Sequence, residues 1–236
     1  MAHSIFTIVG PVMIGPSSSH TAGAVRLGNV ACALFGELPE KVVCILYQSF
    51  GEVYDGHGTD KALVSGILGF PPHDPRLNDA LQIAKERGVQ IKFVPKPNAG
   101  AHYHPNTVKF YFEKGERKMM VLGSSLGGGL IQITRIDDMP VSLTGEYDVI
   151  ILTAERHVNV LDVIFNLLHP TGARILQYFS HEKVNTGDYV RYVIEVSDMP
   201  VNTETVLRST SGITRVSIIP QISMWVGVTN HHIPTL

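Results

Sequence analysis

The run Gly15-Pro16-Ser17-Ser18-Ser19-His20-Thr21 puts four hydroxyls and an imidazole into five residues, just ahead of a segment that reads as a helix, Ala22 to Phe35. The first turn of a helix has backbone N–H groups without intrahelical partners and a partial positive charge, so it favours an anion. Serine and threonine there cap the helix or donate hydrogen bonds to a bound carboxylate or phosphate. Capping consumes one hydroxyl, and this run supplies more, which points to an anion or substrate site.

Two more glycine-bearing polar loops carry chemistry. In His57-Gly58-Thr59-Asp60-Lys61 the small neighbours let an imidazole and an ammonium approach a ligand closely. A structural histidine in a turn fits the same residues. In Ser124-Ser125-Leu126-Gly127-Gly128-Gly129, consecutive glycines either turn several N–H groups toward one anion or make a bulge or turn between strands. No Gly-Lys-Ser/Thr follows, so the loop is not a P-loop. Asn98 to Asn106 is polar and turn-rich and carries His102 and His104, an HxH pair that on a strand would point both rings to one side. A metal site there needs a third ligand that the sequence does not identify; hydrogen bonding to a substrate is the other reading. Histidine, titrating near neutrality, is the best general-base candidate in the chain. The loops together suggest a small, anionic, hydroxyl-bearing ligand held by hydroxyls and backbone amides, and they do not name a reaction.

The elements that must position these loops follow from periodicity. Residues 3 to 10 read as a strand entering the serine loop. In the next helix Leu27, Val30, Ala31 and Leu34 share a face, Gly36 is the stop, and Gly23 and Gly28 suggest close packing against another backbone. Lys41 to Tyr47 is a buried strand, Asp55 to Asp60 a turn, and Lys61 to Leu68 a short helix. Asp74-Pro75 caps a helix that ends at Gly88, and Val89 to Val94 is a strand. Thr107 to Phe112 and Arg117 to Leu122 form a hairpin, the glycine loop follows, and Leu130 to Ile136 closes the unit. Asp137 to Gly145 is the linker candidate. Beyond it, strand, helix, strand, strand, helix and strand (Tyr147–Thr153, Asn159–Leu168, Ala173–His181, Tyr189–Ser197, Thr203–Arg208, Thr214–Pro220) follow the ferredoxin-like order. The expected class is α+β, with domains over residues 1–140 and 147–220 and a tail, 221–236, in which His231 and His232 lack a further ligand nearby.

Composition narrows the function. A net charge of −2 gives no broad attraction to nucleic acid or an anionic membrane. The apolar N-terminus lacks a charged leader and is interrupted by Gly10-Pro11, unlike a signal peptide or a spanning helix. Cys32 and Cys44 are the only cysteines, too few for a disulfide framework, a zinc ribbon or the ligand set of an iron–sulfur cluster. A cytoplasmic protein with reduced thiols is the expectation.

GPSSSHTAGAVRLG (15–28), HGTDKAL with GILGF (57–70), HPNTVKF (104–110) and SLGGG (125–129) resemble, in order, motifs of the beta chain of iron–sulfur-dependent L-serine dehydratase, over roughly residues 5 to 220. The resemblance implies an ammonia-lyase subunit of amino-acid degradation and gluconeogenesis, converting L-serine to pyruvate and ammonia by β-elimination without pyridoxal phosphate. It implies a 4Fe-4S cluster on the alpha chain acting as Lewis acid on the departing hydroxyl, and none on this chain. It also implies an allosteric-substrate-binding-type α/β domain with a mixed sheet, followed by an ACT domain. Residue by residue, it makes His57 the base that removes the Cα proton. Ser17, Ser18, Ser19, His20, Thr21, Thr59, Asp60, Lys61, His104, Asn106, Ser125, Gly127, Gly128 and Gly129 would border the substrate. The expected partners are the alpha chain, a small amino acid and a second copy, joined through the ACT or the N-terminal domain. Effector-binding ACT domains usually carry Asp-x-Pro-Gly after their first strand. Ala154 to Asn159 has neither proline nor glycine, so effector binding does not follow. A regulatory module that senses a small anion or amino acid, without catalysis, is the alternative; a sensor has no need of a base at His57, a lyase does.

Overall fold

The structure, a computed structural model, describes residues 13, 15, 17–99, 102–182 and 188–222. The strand expected over residues 3 to 10, and the tail from residue 223 with its two histidines, lie outside them. The chain divides into two compact units, one of residues 1–138, 142–145 and 222–236, the other of residues 139–141 and 146–221.

The first unit opens with a π-helical turn, Ser18–Ala22, that runs on into α1 (Gly23–Phe35). Ser17 is extended and its side chain accepts the His20 N–H at 3.2 Å, which starts the helix. Gly36, at φ 90, ends it by donating its N–H to Cys32 O at 2.9 Å. Leu27, Val30, Ala31 and Leu34 are buried as the periodicity requires, and so is most of the rest of α1. There follow β1 (Lys41–Tyr47), α2 (Gln48–Val53), α3 (Thr59–Ile67), a 3₁₀ turn (Pro75–Asp79) entering α4 (Ala80–Glu86), β2 (Gln90–Lys96), β3 (Thr107–Lys114), β4 (Arg117–Gly127), β5 (Leu130–Ile136) and β6 (Met139–Leu143). They form a mixed six-stranded sheet in the order β2-β1-β3-β4-β5-β6, parallel at β1/β2 and antiparallel at β1/β3, β3/β4 and β4/β5. Val42, Cys44 and Leu46 of β1 and Val108, Phe110 and Phe112 of β3 are buried on one face, where Phe35 of α1 stacks on Phe112 at 5.4 Å.

Helices α1 and α3 approach each other through glycine. A Cβ on Gly28 would fall on Leu63 O and lie 2.9 Å from Ile67 N; one on Gly66 would fall on Val25 O and lie 2.8 Å from Asn29 N. Close backbone packing, expected at Gly28 from sequence, is therefore reciprocal. Gly23 makes room instead for the Ser125 side chain.

Three elements depart from expectation. Helix α2 is new: QSFGEV is too short to show helical periodicity, and the chain enters it abruptly at Gln48, φ 43. The supposed loop after Leu122 is largely strand, because Gly123, Ser124 and Ser125 pair with Ile133, Gln132 and Ile131 across two bulges. The supposed linker contains β6, whose Met139, Val141 and Leu143 alternate inward while Pro140 is exposed on the sheet edge, where a missing N–H is tolerated.

The second unit is β7 (Asp148–Glu155), α5 (Val160–Leu168), β8 (Arg174–Glu182), β9 (Tyr189–Ser197), α6 (Thr203–Ser209) and β10 (Ile213–Ile219). Its sheet, β10-β7-β9-β8, is antiparallel throughout, the ferredoxin-like arrangement. Ile150, Leu152, Ile194 and Val196 form a core with Ile164 and Leu207 of the two helices. The class is α+β, as the sequence indicates. No described helix is long and apolar enough to cross a membrane.

Candidate active site

Because α1 and α3 cross closely, the loops that precede them converge. The imidazoles of His20 and His57 lie 5.7 Å apart between ring centroids, and the edge of the Phe50 ring meets His20 at 5.2 Å. His57 is exposed, in the turn before Gly58, whose left-handed backbone (φ 69) leads into α3.

His20 is held on both sides. Its Nδ1 faces Ser19 Oγ at 3.1 Å and Ser17 Oγ at 3.3 Å, and its Nε2 faces Ser49 Oγ at 3.3 Å. Burial is the main reason its pKa lies below the ordinary imidazole value; the nearby His57 adds to this, and a hydrogen bond with the Ser49 main chain opposes it. Ser49, at the start of α2, is the functional candidate that sequence reasoning missed, since nothing marks QSF as a helix start facing the serine loop.

The glycine loop reaches the serine loop through Ser18, whose Oγ accepts the Gly128 N–H at 3.2 Å. Gly127, Gly128 and Gly129 all have positive φ, at 94, 60 and 82, so they make a tight turn between β4 and β5 rather than the alternating backbone of an anion nest. Buried Arg26 donates to Gly129 O at 3.2 Å and to Ile222 O at 3.0 Å. Ser125 is buried against Gly23; its N–H donates to Asn106 O at 2.9 Å, and its hydroxyl has no partner.

The other candidates fall into place with different exposure. Thr21 is buried. Thr59 is fully buried at the start of α3 with its hydroxyl unpartnered, and Lys61 is half-buried one residue past Asp60. Asp60 has one carboxylate oxygen without a partner, and burial raises its pKa above the usual aspartate value. His102 and His104 occupy the turn-rich stretch that the sequence indicates: His102 packs on Tyr103 at 4.1 Å, and His104 Nδ1 accepts the Asn106 N–H at 3.2 Å. Among the described residues no three metal-ligating side chains cluster. Cys32 and Cys44 lie in separate elements, α1 and β1. Burial pushes the Cys32 thiol up to about 12 and the Cys44 thiol higher still, so these residues do not fit an iron–sulfur cluster.

The arrangement is a hydroxyl-rich cluster with an anchored, half-buried imidazole beside an exposed one. Residues 4–135 match the family model described as "Serine dehydratase beta chain". The chain is 38% identical over 216 residues to the "L-serine dehydratase, beta chain" of Peptoniphilus asaccharolyticus, covering 90% of this chain and 95% of that one. It is 41% identical over 165 residues to the "Probable L-serine dehydratase, beta chain" of Bacillus subtilis, covering 70% and 74%. A Streptomyces coelicolor protein named "L-serine dehydratase" matches at 30% over 154 residues, which is 56% of this chain but 34% of that longer one. The chain belongs to the serine dehydratase beta-chain family.

Proposed function

We propose that this chain is the beta subunit of a two-chain iron–sulfur L-serine dehydratase, in which it supplies the base and an alpha chain supplies the cluster. The observation that carries this reading is the exposed His57 imidazole, its ring centroid 5.7 Å from that of His20 in the serine loop. The two cysteines, Cys44 buried and Cys32 half-buried, lie in separate elements, which supports a cluster held by the alpha chain. The greater length of the Streptomyces relative leaves room for such a part within one chain.

On this reading the serine loop and the Gly128 turn hold the substrate with its Cα–H toward His57. His57 takes the Cα proton, the C–H electrons form the Cα–Cβ double bond, and the Cβ–O bond breaks to release the hydroxyl, which leaves as water by taking up one proton, balanced by the one His57 gives back to solvent. The resulting enamine tautomerises to an imine, and water hydrolyses it to pyruvate and ammonia. The lowered pKa of His20, whose ring centroid lies 5.7 Å away, disfavours a positive charge beside the base. The second unit, with its ferredoxin-like order, takes the ACT-type role of joining copies, and the complex works in the cytoplasm.

The test is His57→Ala in the anaerobically reconstituted two-chain complex, assayed for pyruvate from L-serine. Turnover should vanish while the complex remains assembled by gel filtration. Undiminished turnover removes His57 from the mechanism.

A further inference from the structure

Gln48 holds its backbone at φ 43, in the left-handed region that a residue with a Cβ rarely adopts. We propose that this elbow between β1 and α2 aims Ser49 and Phe50 at His20, and that Ser49 is thereby a positioning residue for the base. The inference rests on the role given to His57 above and adds the part of the chain that fixes its neighbour.

A backbone in that region persists only where its surroundings hold it there. Gln48 Nε2 donates to Tyr103 O at 2.8 Å and the Phe50 N–H donates to Pro105 O at 3.3 Å, so residues 103–105 grip the chain on both sides of Ser49. The Tyr47 and Tyr103 rings meet at 4.8 Å just before the elbow. Just after it, a Cβ on Gly51 would lie 2.7 Å from Leu46 O and 3.1 Å from Lys96 N, which seats α2 against the ends of β1 and β2. None of these contacts touches the serine loop, but together they deliver two side chains to it. Ser49 Oγ stands 3.3 Å from His20 Nε2, and the buried Phe50 ring meets the imidazole at 5.2 Å.

Ser19 Oγ faces the other ring nitrogen at 3.1 Å. Hydroxyls at both nitrogens and an aromatic ring alongside fix the orientation of the imidazole, whichever partner donates in each pair. His57 has no such support. Among the described residues its side chain makes no hydrogen bond, and the ring it meets is that of His20, at 5.7 Å. The exposed base therefore takes its bearing from His20, and His20 takes its own from Ser49.

Two measurements test this. In the full chain labelled with ¹⁵N-histidine, with His20→Gln identifying the signals, Ser49→Ala should move the His20 ring resonances. Gln48→Val, whose branched side chain does not tolerate the elbow, should move them likewise, whereas Gln48→Gly, which adopts that backbone freely, should not. In the reconstituted two-chain complex, Ser49→Ala should lower kcat for L-serine about tenfold, as expected for one lost hydrogen bond, and Ser49→Thr, which keeps the hydroxyl, should recover most of it. Gln48→Val combined with Ser49→Ala should be no slower than the slower single variant, because both act through one contact. Full turnover in Ser49→Ala, equal losses in Ser49→Ala and Ser49→Thr, or Gln48→Gly as damaged as Gln48→Val overturns the inference while His57→Ala still abolishes activity. Should Gln48→Val fail to fold, Ser49→Ala and Gln48→Gly decide. Undiminished turnover in His57→Ala removes the proposed base, and the inference with it.

Discussion

Replacing Gly66 with alanine should drive apart the two helices that carry His20 and His57. The new methyl would fall on Val25 O and sit 2.8 Å from Asn29 N and 2.9 Å from Gly28 Cα. In Gly28→Ala the clash is with Leu63 O, Ile67 N at 2.9 Å and Gly66 Cα at 3.0 Å. Every one of these is a backbone atom, so no rotamer change relieves them. Carbon atoms pack at about 3.5–4.0 Å, so the axes must part by roughly 1 Å. Overpacking of this kind costs about 1–3 kcal/mol, offset by about 1 kcal/mol from the better helix propensity of alanine. The net loss is up to about 2 kcal/mol, or up to roughly 8 °C in Tm for a chain of this size. The loss of activity should be larger than the loss of stability suggests, because a displacement of about 1 Å at a reacting pair costs on the order of 100-fold. Calorimetric melting of the chain and pyruvate formation by the complex measure the two effects separately. Both variants melting at or above the unmodified protein, with full turnover, would refute the idea that this crossing sets the site.

Asp60→Asn should stabilise the chain near pH 7 and lose that advantage in acid: with its folded pKa raised, Asp60 favours folding fully below its ordinary pKa and ever less as pH rises through the raised value. Urea midpoints across pH 3 to 8 check this, and a constant difference would contradict it. The opposite sign holds for His20, whose lowered pKa makes folding less favourable as pH falls through the ordinary imidazole range; His20→Gln should flatten the stability profile there. Arg26→Met strips the Gly129 and Ile222 carbonyls of a buried charged donor and should cost about 2–4 kcal/mol, read as a shift in urea midpoint. A thiol reagent at pH 8 should leave Cys44 unmodified and label Cys32 slowly in the native chain, with both labelled at once after unfolding.

Where local pattern and burial coincide, the sequence was readable. The apolar run of β1, the β3/β4 hairpin across Gly115 and the whole order of the second unit are visible because strand and helix periods repeat there. The errors fell where the pattern is interrupted for tertiary reasons. Ser124 and Ser125 look like loop, yet they pair with β5, and the glycines beside them serve a turn and a close approach by Leu27 and Ile133. Pro140 disguises β6, and helix α2 has too few residues to declare a face. At the site, the motifs marked which loops matter, but the approach of His20 to His57 depends on two glycines on different helices, a relation that no local window contains. Ser49 was invisible for the same reason: its role is defined by the ring it faces, 29 residues earlier in the chain.

The wide turn at Ser18–Ala22 makes the number of serines a geometric quantity. A π turn holds more residues than the α turn it replaces, and in an α-helix each residue advances the side-chain direction by about 100°. Deleting one serine would allow the wide turn to tighten and re-aim whatever stands ahead of α1. The imidazole would then no longer point between its present neighbours, although every atom needed for the chemistry would still be encoded. Shortened versions of this loop would be differently aimed proteins, not weaker copies of the same one.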